Sequence, residues 1–450
     1  MITRNKKFKK YCIYISVAIY IVLLNLKVSS SIGSENKAQI TPKAAKQNVE
    51  MSSNLRYMSL SLTDSIIYAL QNNFDIEISK LDSRIEDYNI TVEKARFDPV
   101  VKLTGSIEND EEPINSQLVG GLETTSISPF VEEGKTADTV IQSMIPTGAT
   151  LSLEYNIFSD FVDPNPFRLL NPAYQNYIEA KITQPLLKGG GWFYNRSPIY
   201  IARNNKTISL SKFKVTTIEI TDSVQEAYWN LVKAIEDLKV VNKSLERAED
   251  LLKKNKIQVE AGTLAPIEII DAEAGVASRV EAVISAENTI KDKEDELKRI
   301  MNFTDGEVIS DAIITPTDKP VFEPKKFELK DSIKLAMENR PELQQLHLKT
   351  ENAGMQTKRR KNELLPALDF TTGIRYAGLG DEVSSANDSV FSEDFQGEFF
   401  TLSLAIPIGN RSARSQYNKS KTEERQANIN VKKKELDIVV EVRVSVRQVT

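Results

Sequence analysis

The sequence predicts a mainly α protein with a small β part, organised as a duplicated helix-strand-strand-helix unit that carries a long coiled-coil helical hairpin. Three observations predict it. A string of residues recurs 267 positions later, each copy changes from helical to two-residue periodicity at a proline, and an apolar heptad runs on both sides of a Gly-Thr pair.

Composition narrows the class first. At 450 residues the length prior is about three domains, but the repeated pattern reduces this to one elongated body. Hydrophobic residues at 40%, charged at 27% and aromatic at 7% exclude a polytopic helical membrane protein and a fully disordered chain. One cysteine, Cys12, and one histidine, His347, leave almost nothing from which to build a Cys/His zinc site, a disulfide framework or a Ser-His-Asp triad. No catalytic, metal or cofactor residue is therefore assigned, and the chain is not expected to be an enzyme.

Residues 4–10 carry Arg4, Lys6, Lys7, Lys9 and Lys10, and 11–24 is an apolar run too short for a comfortable membrane span, so 1–31 reads as a signal peptide. Removing its six positive charges takes the formal charge from −5 to about −11. An acidic mature chain argues against a nucleic-acid partner, which requires a basic footprint. A flexible N-terminal segment, 32–57, follows.

The first structural repeat is placed at 58–302 and the second, C-terminally incomplete, at 327–450, with 303–326 as a linker. Leu62, Asp64, Ser65, Ile66, Ala69, Asn72, Asp75 and Pro99 recur as Leu329, Asp331, Ser332, Ile333, Ala336, Asn339, Glu342 and Pro366. Each copy predicts a short helix (63–72, 330–339), a second helix (75–95, 342–362) and then a proline that ends it. Beyond the proline, Val101, Leu103 and Ile107 alternate with polar residues in one copy, and Leu368, Phe370 and Ile374 in the other. These are strands with one apolar face. Returning strands are predicted around Ile178, Ala180 and Ile182, and around Phe400, Leu402 and Leu404. A further alternating segment at 149–157 either enlarges the sheet or projects from it.

After the strands both copies contain Asn-Arg-Ser, and Ser197-Pro198 reads as an N-cap with proline at the first helical position. A helix of roughly 60 residues, about 90 Å, is expected from there to Gly262. Val224, Leu231, Leu238, Leu245, Leu252 and Val259 lie seven apart, and Ile269, Val276, Val283, Ile290 and Leu297 keep the period on the return. Gly262 supplies the turn of the hairpin.

Unpaired backbone in hydrocarbon costs several kcal/mol per group, so a membrane sheet must close. Four strands, or six with the extra segment, are fewer than the eight of the smallest membrane barrels. Spanning strands would therefore have to be shared among copies in one barrel, with the hairpins bundled into a helical tube beneath it.

These residues resemble the TolC-like outer membrane efflux proteins, or outer membrane factors, of diderm bacteria. The resemblance rests on Leu62-x-Asp64-Ser65-Ile66-x-x-Ala69, the 95–99 exit into a strand, Gln184-Pro185-Leu186-Leu187, Ala227-Tyr228-Trp229 and the 259–266 segment, and runs from about Leu60 to Thr450. It implies a homotrimer with a shared transmembrane β-barrel in the outer membrane and an α-barrel extending into the periplasm. It implies an outer membrane channel component of a tripartite efflux or type I secretion system, a passive conduit with a periplasmic adaptor, an inner-membrane pump and outer membrane lipid as partners. By the same resemblance Val259, Gly262, Thr263 and Leu264 match the tip segment used for adaptor docking. Glu268, Asp271 and Glu273 flank the tip and are read as tunnel-mouth residues. The second copy stops at Thr450, equivalent to about Ile235 in the first, so either a longer protein or a truncated member is expected, and the chain as written is not expected to close a periplasmic tube.

Two other readings use a helical hairpin. A periplasmic adaptor places one hairpin within a single flanking pair of β domains, whereas here the unit occurs twice; a secreted coiled-coil structural protein would require the alternating segments to be unstructured. Smaller signals have ordinary explanations. Gly189-Gly190-Gly191 lacks the phosphate-loop order, His347 reads as a packed helix residue, Lys358 to Lys361 complement a helix C-terminus, and Trp192, Phe193 and Tyr194 sit where an interfacial belt is expected.

Overall fold

The computed structural model describes residues 57–113, 129–163, 168–305, 308–321 and 327–449, all within one compact unit that begins at residue 56. The expected signal peptide at 1–31 and nearly all of 32–57 lie outside the described residues.

The described residues open with a short strand, β1 (Tyr57–Leu60), and two helices, α1 (Leu62–Asn72) and α2 (Phe74–Lys94). Local chemistry fixes both starts. Ser61 Oγ accepts the Asp64 amide at 3.1 Å while the Asp64 carboxylate accepts the Ser61 amide at 3.4 Å, a reciprocal cap. Asn73 then caps α2 through the Asp75 and Ile76 amides, and its own amide nitrogen reaches the carbonyl of Ile300 at 2.8 Å.

Four strands follow, β2 (Val100–Pro113), β3 (Pro129–Met144), β4 (Thr150–Asp163) and β5 (Ala173–Pro185). The helical hairpin is α3 (Trp192–Glu260) and α4 (Ile267–Met301); at about 1.5 Å per residue the 69 residues of α3 span roughly 104 Å. Two-residue strands β6 (Thr304–Asp305) and β7 (Val308–Ile309) pair with each other, and β8 (Ile313–Pro316) runs parallel to β1. Residues in the expected linker thus include a strand that ties back to β1. The second copy supplies α5 (Leu329–Asn339), α6 (Pro341–Asn362), β9 (Ala367–Gly380), α7 (Val383–Phe391), β10 (Gln396–Ala405) and α8 (Arg411–Val449).

The two sets of strands form one six-stranded antiparallel sheet in the order β10-β9-β5-β4-β3-β2. The 149–157 segment is β4, and with β3 it enlarges the sheet. Four helices continue the sheet's strands: α2 leads into β2, α3 follows β5, α6 leads into β9 and α8 follows β10. They pack side by side in the order α2, α3, α6, α8. Polar bridges mark each contact: Lys212 to Asp82 at 2.8 Å, Ser211 to Gln344 at 2.9 Å and Arg360 to Gln416 at 2.7 Å.

Two local expectations require correction. The long helix begins at Trp192, so Pro198 lies inside it instead of at its first position. Proline cannot donate to the carbonyl of Tyr194, four residues earlier; the Ser197 hydroxyl donates to that oxygen instead, at 3.0 Å. The equivalent Asn410 does precede its helix, with φ of 42°, so the two Asn-Arg-Ser copies sit in different local frames. His347 is exposed on α6, not packed.

The core lies where α1 crosses the hairpin, and includes Ala69, Val224, Tyr228, Leu231, Leu297 and Met301. Tyr228 anchors it to β1 and β8. Its hydroxyl donates to the Leu60 carbonyl at 3.2 Å and accepts the Asp318 amide at 3.2 Å, while the Asp318 carboxylate takes the Leu62 amide at 2.6 Å. Burial pushes the phenol above its ordinary pKa. Tyr228→Phe keeps the ring and removes the partner of the half-buried Asp318 amide, while the Leu60 carbonyl keeps its bond from the Thr317 amide, so it is expected to cost about 1 kcal/mol, read as a lower melting temperature.

Candidate functional site

The hairpin tip is shaped by its backbone. The last turn of α3 closes with the Gly262 amide on the Val259 carbonyl at 3.0 Å and the Thr263 amide on the Gln258 carbonyl at 2.9 Å. This is the double bond pattern of a Schellman cap, and it needs a left-handed residue, which Gly262 supplies at φ of 70°. Thr263 Oγ1 adds a second bond to the same Gln258 oxygen at 3.0 Å. Val259 and Leu264 are half-buried, whereas Gly262 and Thr263 are exposed.

The three acidic residues beyond the turn are all exposed on α4 and are not equivalent. Glu273 meets Lys256 of α3 at 3.0 Å, bridging the two arms of the hairpin. The backbone oxygen of Glu268 accepts Asn255 Nδ2 at 3.3 Å, which leaves its carboxylate facing water. Among the described residues no group of three or more His, Cys, Asp or Glu is arranged to hold a metal ion.

The sheet has two chemically distinct faces. Residues paired across strands share a face, and one cross-strand row reads Val101, Ile141, Leu153, Ala180 and Ile374. The next row, one residue along each strand, reads Lys102, Val140, Glu154, Glu179 and Arg375. On the apolar face of the two edge strands Leu103, Ile107, Phe400 and Leu402 are 66–75% exposed. Among the described residues no helix is long and apolar enough to cross a membrane.

At the end of the sheet next to the long helices, the aromatic trio and the basic cluster meet. The Arg359 guanidinium lies over Tyr194 at 5.1 Å and the Lys358 ammonium over Phe193 at 5.8 Å, while Arg196 stacks on Trp192 at 5.3 Å. Sequence periodicity placed the two groups on separate elements, the stacked pairs being 165 residues apart; the α3–α6 contact joins them. At the opposite end, α7 lies on the apolar face, where Asn387 accepts Tyr155 Oη at 2.6 Å and Asn176 Nδ2 at 2.7 Å. Gly378 and Gly380 allow this approach, since a Cβ at either would collide with Ala386 or Ser385. The position of β3 and the existence of α7 were not legible in the sequence: β3 interrupts its alternation with Gly134 and charged residues, and α7 is a nine-residue polar helix.

Residues 168–302, from β5 through the return of the hairpin, match the family described as outer membrane efflux protein. No curated relative matches the sequence. Solved structures share the fold. The crystal structure of CusC, reported in connection with transmembrane channel formation, covers 90% of this chain and 79% of its own at 14% identity, with a TM-score of 0.55. The CmeC outer membrane channel of Campylobacter jejuni covers 86% and 70% at 14% identity and 0.57, and the outer membrane protein VceC of Vibrio cholerae 84% and 75% at 12% and 0.54. The segment that contains the helical hairpin thus matches the outer membrane efflux protein family, and the chain shares the fold of these TolC-like channel structures over most of its length.

Proposed function

We propose that the chain is the outer membrane channel component of a tripartite efflux or type I secretion system, a passive homotrimeric conduit through the outer membrane and into the periplasm. The observation that carries this is a sheet with one apolar and one polar face and two unpaired edges, β2 and β10, continuous with a layer of long helices. Such a sheet is stable in lipid only when closed, and closure between copies has the right parity. With an even number of strands, β2 of one copy meets β10 of the next running in the opposite direction, as an antiparallel barrel requires.

Dimensions agree with three copies. Eighteen strands about 4.8 Å apart and tilted by about 40° close a circumference of roughly 110 Å. Twelve helices, four per chain next to the sheet, at about 10 Å spacing close roughly 120 Å. The β3–β4 hairpin thus brings the barrel to the width of the helical tube. Exposed apolar residues on the outer sides of the hairpin, including Ile257, Ile270 and Ile284, support packing against neighbouring hairpins.

Val259, Gly262, Thr263 and Leu264 form the docking surface for a periplasmic adaptor, which links the conduit to an inner-membrane pump; Glu268, Asp271 and Glu273 border the tunnel mouth. The chain divides functionally into the repeats 58–302 and 327–450, joined by 303–326. Chemical crosslinking in outer membrane fractions is expected to give a ladder that ends at three chains. Leu264→Glu should leave that ladder intact and lower export. A mature chain recovered as a soluble monomer without detergent overturns the reading.

A further inference from the structure

The polar face of the sheet holds a closed ring of five side chains on three neighbouring strands. Arg375 of β9 meets Glu179 of β5 at 2.6 Å, and Lys181 of β5 meets the other oxygen of Glu179 at 3.3 Å. Lys181 also reaches Glu154 of β4 at 3.8 Å, Glu154 accepts the Tyr177 hydroxyl at 2.6 Å, and Arg375 returns over the Tyr177 ring at 4.4 Å. The ring is layered. The Glu179 side chain is 5% exposed, whereas those of Lys181 and Arg375 are 36% and 48% exposed. Two cations therefore face outward over a carboxylate that both of them share.

A pocket of about 560 Å³ opens beside the ring, lined by Glu179, Lys181, Thr371, Arg375, Glu398 and Phe399. Glu179 lies at the middle of β5, and the ring spans the strands at one height through register pairs Arg375 with Glu179 and Glu179 with Glu154. Side chains on the inner face of a wide barrel are not needed to fill a core, and fixed charges there act on what passes.

We propose that this ring is the charge filter of the barrel lumen, presenting Arg375 and Lys181 to passing solutes so that small anions are favoured, with Glu179 setting how strongly. It rests on the conduit reading, which places the polar face inward and repeats the ring three times around the pore. The balance of charge is local. Removing the shared carboxylate leaves two cations over the single remaining carboxylate, Glu154, and removing a cation leaves two carboxylates facing one.

The test is the zero-current potential of the full chain in planar lipid bilayers under a potassium chloride gradient. Glu179→Gln is expected to shift it toward the chloride limit and Lys181→Gln toward the potassium limit. A ring that only braces the sheet would alter stability without opposite shifts in selectivity. If both variants conduct with the wild-type potential, the filter is overturned and the conduit stands. Should Glu179→Gln fail to assemble, the half-exposed Lys181→Gln decides, and an unshifted potential there overturns the filter. A wild-type chain that inserts into the outer membrane and conducts nothing removes the conduit reading, and the filter with it.

Discussion

Leu231→Ala is expected to destabilise the helical module by about 2–5 kcal/mol, because it removes a fully buried side chain from the point where α1, α3 and α4 meet. Ala69, Leu297 and Met301 surround the site on rigid helices and cannot collapse into the space. The same truncation farther along the heptad is expected to cost progressively less. Leu238, Leu245 and Leu252 are half-buried, whereas Leu231 is fully buried. Thermal unfolding of the four single variants gives the gradient directly. A Leu252→Ala as costly as Leu231→Ala would mean that the seam, and not the crossing with α1, holds the hairpin.

That gradient also marks what the sequence could disclose. The heptad set the seam correctly on both arms: every member from Val224 to Val259 and from Ile269 to Leu297 is buried or half-buried. Period alone carries that information, since residues seven apart share one helix face. The turn was legible for a similar reason, as a glycine before Thr-Leu-Ala-Pro answers the left-handed position of the cap. Strand existence was legible through alternation, but register was not. Glu179 and Lys181 appear in the sequence as ordinary polar positions of a strand, and only pairing with β9 and β4 brings Arg375 and Glu154 to them. The Ser197-Pro198 misreading has the same origin. A serine before a proline signals a helix start locally, and the hydroxyl's bond to the Tyr194 carbonyl, which lets the helix run through, is a three-dimensional fact.

Register makes the second large effect testable at two adjacent residues. Val140 and Ile141 are both β-branched, similar in size and next to each other in β3, yet they stand on opposite faces. Ile141 lies between Val101 and Leu153 on the apolar face, and Val140 between Lys102 and Glu154 on the polar one. In the proposed barrel Ile141→Arg places a guanidinium on the lipid-facing side, a change that costs up to about 2–4 kcal/mol per chain, the full amount applying at the bilayer midplane. In a barrel of three chains, as proposed above, the charge occurs three times, so the assembled channel is expected to be lost from the outer membrane or to fold only at much lower urea. Val140→Arg removes a comparable apolar side chain but delivers its charge to the water-filled side, beside the Glu154 carboxylate, and is expected to leave assembly near wild type. Folding yield into lipid vesicles across a urea series separates the two. Equal losses for both variants would mean that β3 has no lipid-facing side, and the barrel would then have to close through the remaining strands.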